Sequence, residues 1–279
     1  MASSKLISSL FFLSCIAILV QTVISMTQLN YACSESGTFP DGSPYAQNLE
    51  DLLADLNSKT PITGFFTSSM GTKPDRAYGL SLCRGDISGD DCKTCVLAAR
   101  EEITKLCPNN KEAIIWYDYC LLKYSDDCFK GEIDDTNKFS MCNIDSVPEA
   151  EVEKFMQVTR ALLQELAKEA YMIPQFYATR ETPFINSQKL YGLVQCTRDL
   201  SNWECKKCLD DIISELSRSC YARIGGRIIG GSCKFRFEMY PFANGTIEGV
   251  ELLNGSELIN STEIRDVEKL LPVGGIGAE

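Results

Sequence analysis

Residues 83–120 read CRGDISGDDCKTCVLAAREEITKLCPNNKEAIIWYDYC, and residues 196–233 read CTRDLSNWECKKCLDDIISELSRSCYARIGGRIIGGSC. Each stretch spaces five cysteines as C-x8-C-x2-C-x11-C-x12-C, and every member of the second set lies 113 residues after its counterpart. Tyr78-Gly79-Leu80 and Tyr191-Gly192-Leu193 precede the two runs at the same offset. Four identical spacings at one common offset mark an internal duplication. A sixth cysteine stands upstream in each half: Cys33 is 50 residues before Cys83, and Cys142 is 54 before Cys196, a difference that fits a loop indel. The reading is two six-cysteine domains, 28–130 and 138–243, with Cys128 left over.

The chain has 279 residues, 44% of them apolar and 23% charged, which is globular composition. It has no histidine, so Ser-His-Asp triads, Cys-His proteases and His-ligated metal sites are excluded. A formal charge of -11 argues against nucleic acid as a partner, since phosphate contacts need a Lys/Arg surface. Residues 1–25 carry Lys5, the apolar run Leu6 to Val20 and a small residue at Ser25, the pattern of a secretory signal peptide. The run is shorter than the about 20 residues of a membrane span, and no second stretch approaches that length, so the mature chain is expected to have no span. An oxidising compartment makes disulfides the default for the remaining cysteines. Six cysteines allow 15 pairings, and spacing alone does not choose among them.

Tyr45, Leu49, Leu52, Leu53 and Leu56 share one helical face, with Ser43 and Pro44 as the N-terminal signal. The second half matches with Val152, Phe155, Met156, Thr159, Leu162, Leu163 and Leu166. A second helix is read from each C-x2-C, with Cys92, Cys95, Val96, Ala99, Ile103 and Leu106 on one side, and Cys205, Cys208, Leu209, Ile212, Ile213 and Leu216 in the repeat. Residues 234–240 (KFRFEMY) alternate polar and apolar, the pattern of a strand with one buried and one wet face. Residues 113–124 are read as its counterpart, more apolar and less regular. Each half is thus an α+β layer of helices on an antiparallel sheet.

GEIDDTN, residues 131–137, reads as a polar linker. Residues 244–279 read as an acidic, glycosylated, flexible tail, with sequons at Asn244, Asn254 and Asn260. Arg218, Arg223, Arg227 and Arg236 make the second half locally basic, which is read chiefly as solvated surface. Asp126, Asp127, Asp134 and Asp135 lie in loop-like runs with no positioning signal for paired-carboxylate chemistry, so the chain is read as no enzyme and as needing no cofactor or metal.

The doubled C-x8-C-x2-C behind a Tyr-Gly-Leu stretch and a signal peptide resembles the plant cysteine-rich repeat secretory proteins, which carry tandem ginkbilobin-homologous (stress-antifungal) domains. It is similar as well to the ectodomains of cysteine-rich receptor-like kinases. The resemblance covers about residues 28–243. It implies two helices on a five-stranded antiparallel sheet in each domain. It also implies the pairings Cys33–Cys107, Cys83–Cys92, Cys95–Cys120, Cys142–Cys220, Cys196–Cys205 and Cys208–Cys233. There is no glycine-rich nucleotide loop and no H-R-D segment, so no kinase is present. The secreted, apoplastic branch is the one implied.

A single-domain member of that family binds mannose through an Asn, an Arg and a Glu at fixed offsets from its cysteines. Those positions hold Asn143, Arg227 and Glu238 in the second domain, and Ser34, Ile114 and Ser125 in the first. An amide, a guanidinium and a carboxylate suit the vicinal hydroxyls of a sugar edge, and the alternation puts Glu238 on the wet face with Lys234 and Arg236. The structural alternative is a Glu238 pair with Arg236 or Arg227, and an Asn143 that caps its loop. Cys128 reads as a free, partly buried thiol, with a disulfide-linked dimer as the functional alternative. The first expectation is therefore a secreted mannose-type lectin of plant defence or antifungal response, recognising a glycan or cell-wall polysaccharide. The second is an apoplastic protein–protein module that docks an extracellular receptor domain. An apolar stripe shared between the domains would favour rigid tandem packing and the second expectation.

Overall fold

A computed structural model describes residues 27–34, 37–185, 188–244 and 247–248. The signal-peptide reading, Asn254, Asn260 and nearly all of the tail lie outside the described residues. In chain order the first half comprises β1 (Gln28–Cys33), α1 (Pro44–Thr63), β2 (Phe65–Met70), β3 (Ala77–Cys83), α2 (Gly89–Leu106), β4 (Ala113–Tyr117) and β5 (Cys120–Ser125). The second comprises β6 (Lys138–Cys142), α3 (Val152–Ala170), β7 (Tyr177–Pro183), β8 (Lys189–Cys196), α4 (Asn202–Ser214), α5 (Leu216–Ser219), β9 (Gly225–Gly230), β10 (Cys233–Glu238) and β11 (Ile247–Glu248).

The sheet orders are β1-β4-β5-β3-β2 and β6-β9-β10-β8-β7-β11, so the duplication in sequence is a duplication in topology. All pairings are antiparallel except β11, which lies parallel to β7. The second sheet thus has five antiparallel strands like the first, plus this short sixth.

Local chemistry sets the helix ends. Ser43 Oγ accepts from the Ala46 amide and Pro44 opens α1, while Gly64 closes it in the left-handed region at φ 77°. Ser201 and Glu204 form a reciprocal capping box on α4. The α2 and α4 helices begin three residues ahead of the first cysteine of each C-x2-C, at Gly89 and Asn202. The predicted apolar faces are the buried ones: Leu52, Leu56, Val96 and Ile103 in one core, Phe155, Leu163, Leu209 and Ile213 in the other. The repeated Tyr-Gly-Leu has a packing cause. A Cβ on Gly79 would lie 3.0 Å from Leu52 Cδ2, and one on Gly192 2.8 Å from Leu166 Cδ1, so glycine lets each helix close on its sheet.

Disulfides join Cys33–Cys107, Cys83–Cys92 and Cys95–Cys120, and Cys142–Cys220, Cys196–Cys205 and Cys208–Cys233. In each half one bridge ties the second helix to the central strand, at β5 or β10. Cys128 is free and exposed, not partly buried as the sequence reading had it, because it lies past the end of β5 and outside the core.

The two halves meet sheet to sheet. Leu80, Ile114, Trp116, Leu121 and Ile229 form a third apolar cluster, separate from both helix-side cores, with Phe139 and Phe65 against it. Trp116, 3% exposed, stacks edge-on against Phe139 with ring centroids 5.2 Å apart, and its indole N–H donates to Gly230 O at 3.0 Å. The order of layers is helices, sheet, sheet, helices, with the shared stripe at the centre. Residues 113–124 are correspondingly not one strand. They split into β4 and β5 around Asp118-Tyr119, and β10 matches β5.

Trp116→Ala is expected to cost about 3–5 kcal/mol in denaturant unfolding, the range for truncating a buried aromatic. It should also separate the unfolding of the two domains, which in the parent chain should coincide. Trp203 is 70% exposed and would remain as the fluorescent reporter in the variant.

Candidate functional site

The polar face of β10 is covered, which corrects the wet-face reading. Glu238 is 6% exposed, and Arg236 and Lys234 are half-buried beside it. The alternation itself is real: Phe235 and Phe237 point into the helix-side core. The first domain's sheet lies where solvent was expected.

Asp118, in the β4–β5 turn of the first domain, organises this seam. It accepts from Arg227 Nη1 at 2.5 Å, Arg84 Nη1 at 3.0 Å and Arg236 Nη1 at 3.3 Å. Arg84 also forks onto Asp86 through Nε at 2.6 Å and Nη2 at 2.9 Å, and its guanidinium lies over the Tyr119 ring. Four cations, Arg84, Arg227, Lys234 and Arg236, thus face three carboxylates, Asp86, Asp118 and Glu238. Burial alone would raise the Asp118 pKa, but Arg227, Arg236 and Arg84 together hold it below its ordinary 3.8. Burial pushes the Lys234 ammonium down to about 8, and Arg84 adds to the shift.

Strand register brings the three sugar-site candidates to one corner. Glu238 is opposite Gly225, Cys142 is opposite Gly226, and the Asn143 amide donates to Gly225 O at 2.9 Å. Gly225 leaves room for the Glu238 carboxylate, which a Cβ there would strike. Each candidate already has protein partners. Glu238 accepts from Arg236 Nε at 2.9 Å, Arg227 donates to Asp118, and Asn143 Oδ1 caps its own loop by accepting from the Asp145 amide at 3.0 Å. Of the other arginines read as surface, Arg218 is exposed, and Arg223 binds Ile144 O and Ser146 Oγ.

In the first domain the equivalent corner, with Ser34, Ile114 and Ser125, borders an open groove of about 520 Å³. Asp126, Asp127, Cys128, Asp134 and Asp135 line it. Asp134 is drawn into the linker's own bonds, accepting from the Asn137 amide at 3.1 Å and donating its amide to Ser232 Oγ at 2.9 Å. No group of carboxylates or cysteines with metal-binding geometry occurs among the described residues.

The sequence reading missed Arg84, Asp86, Asp118 and Trp116. A signal was present. Residues 113–117 (AIIWY) are apolar at every position, which is how a strand covered on both faces reads.

Asp118→Asn is expected to cost about 2–4 kcal/mol at pH 7, below the full range for breaking a buried pair because Asp118 keeps some solvent contact. A depressed carboxyl pKa supplies stability above its unfolded value and loses it as pH falls through the folded one. The gap between parent and variant should therefore be full near neutrality and shrink below the ordinary value of 3.8. Lys234 acts in the opposite range. The unfolded chain holds that proton more tightly, so stability should rise as pH climbs from about 8 toward 10.5, and Lys234→Met should shrink the rise to the part that the buried Lys123, also lowered by burial, supplies. Urea titrations across pH check both.

Among curated proteins, the chain is 47% identical over 244 residues to an antimicrobial ginkbilobin-2-like protein of Castanea crenata, covering 88% of this chain and 100% of the relative. It is 46% identical over 230 residues to cysteine-rich repeat secretory protein 38 of Arabidopsis thaliana, covering 80% and 90%. Among solved structures, the tandem DUF26 ectodomain of the Arabidopsis thaliana receptor-like protein PDLP8 superposes with a TM-score of 0.65 at 20% identity, over 76% of this chain and 98% of that one, a likeness of fold. Among the described residues, no helix is long and apolar enough to cross a membrane. With residues 32–127 and 141–240 each matching the salt stress response/antifungal family, the chain belongs to that family as a tandem of two such domains.

Proposed function

We propose that the chain is a secreted, non-enzymatic recognition module of stress and antifungal defence, docking an extracellular protein partner such as a receptor domain as one two-domain body. One observation carries this reading: Arg227 and Glu238 spend their charges inside the seam, on Asp118 and Arg236, and the apolar stripe beside them fuses the two sheets. A sugar reaching that corner would have to break ion pairs already made, and a monosaccharide has few atoms with which to offset the loss. The relatives named antimicrobial and secretory supply the compartment and the defence class. A relative named cysteine-rich receptor-like protein kinase 25 is 37% identical over 86% of this chain, which spans 36% of that protein. That likeness favours a receptor-type partner.

A mannose-type site at Asn143, Arg227 and Glu238 is the second reading, for a glycan or cell-wall polysaccharide. The strand register that gathers the three residues beside Gly225 favours it. In either reading, N-glycans are proposed on Asn244, whose position is exposed, and on Asn254 and Asn260. The exposed Cys128 is available for a disulfide to a second copy.

A mannose titration of the secreted chain by heteronuclear NMR separates the two. The protein-module reading expects no saturable shifts up to tens of millimolar sugar, roughly the limit for so small a ligand. Saturable shifts centred on Asn143, Arg227 and Glu238, lost in Arg227→Ala, would overturn it in favour of the lectin.

A further inference from the structure

Sheets that end in open strands need protection at their edges, because an unpaired row of N–H and C=O groups templates another strand. Three of the four edges here have a device. β1 carries a register irregularity between Gln28 and Asn30, β6 begins with Lys138, and the second sheet's far edge ends in β11, two residues long. β2, FFTSSM, has none. It is six residues long, pairs with β3 in unbroken register from Phe65 to Met70, and contains no charge and no proline. Among the described residues no strand pairs with its outer side, where the Phe65 carbonyl alone is taken, accepting from Thr63 Oγ1 at 2.8 Å.

The duplication supplies an internal control. β7 occupies the same place in the second sheet, carries Arg180 and Glu181, and is nonetheless covered by β11. The twin position therefore accepts an added strand, and the uncharged copy of it is the one without such a strand among the described residues.

We propose that β2 is a self-association edge, through which two copies of this chain pair strand to strand, antiparallel, into one continuous sheet. A two-fold axis sets a strand antiparallel to itself, the more stable pairing. The uncharged sequence puts no like charges opposite one another in any register. Six residues bury less than the roughly 1,000 Å² of a stable interface, so the dimer is weak, with a Kd of about 0.1 mM. The full sequence carries a net charge of -11 and each secreted copy, without Lys5, is more negative still, so added salt, which screens that repulsion, strengthens the dimer. A basic partner strand would show the opposite salt dependence.

Sedimentation equilibrium on the secreted full-length chain, in a Cys128→Ser background to remove disulfide dimers, tests the proposal. From about 10 µM to about 500 µM, a span that brackets the expected Kd, the average mass should rise from one chain toward two, and more so at high salt. Amide exchange of the outward-facing Phe65, Thr67 and Ser69 should slow over the same range. Ser69 is exposed, so Ser69→Lys should abolish both effects without lowering the melting temperature, and Ser69→Thr should keep them. A parent chain that stays monomeric throughout overturns the proposal and leaves the edge to a strand from a different protein. A dimer unchanged by Ser69→Lys overturns it too, since the contact then lies elsewhere.

Discussion

The contact between the two inner sheet faces is the constraint on which the rest of this structure depends. Each domain has a helix-side core and three disulfides, which would suffice for a small secreted domain standing alone. The sheet face away from those helices carries a different instruction. Ile114, Trp116 and Leu121 on one side and Ile229 on the other have no helix to cover them, and they bury one another. Once that stripe is dry, every charged group at its rim sits in poor solvent and must find a partner, so Asp118 gathers Arg84, Arg227 and Arg236. The chemistry of the candidate sugar corner is thus set from the opposite domain, by a turn residue whose equivalent in the second half is Gly231.

Much of the architecture is legible in the sequence because its causes are local. Cysteine spacing repeats with its 113-residue offset, helical faces repeat at Leu49–Leu56 and Leu162–Leu166, and caps stand at Ser43 and Ser201. These features depend on neighbours along the chain. The exposure of a sheet face does not. The alternation in residues 234–238 states that two faces differ in polarity, and a polar face covered by a second charged surface reads the same as one covered by water. Glu238 was misplaced for that reason, and Arg227 with it. Only the departure of 113–117 from strict alternation carried the missing information, and it did so for the other domain.

The candidate triad shows how residue identity and residue availability come apart. Asn143, Arg227 and Glu238 are the right types, and the register of β6, β9 and β10 collects them. Hydrogen-bonding capacity is finite, and the structure has already assigned it: a loop cap to Asn143, an inter-domain ion pair to Arg227, an intra-strand pair to Glu238. Of the three, Arg227 is the one whose hydrogen bond crosses to the other domain.

Duplication normally yields two interchangeable parts, but the offset that relates these halves sets unlike residues against each other. Asp118 corresponds to Gly231, Arg227 to Ile114, and Glu238 to Ser125. The acid is found in one copy and most of its bases in the other, so the halves are mated like plug and socket. Two first halves would set Asp118 against Ile114 and Lys123, and two second halves would set Arg227 and Arg236 against Gly231, so neither pairing rebuilds the cluster. A gene that shuffled, inverted or deleted either copy would therefore forfeit the join along with the missing part. Descent from a single ancestral domain has ended, in this chain, in two that are no longer each other's equivalents.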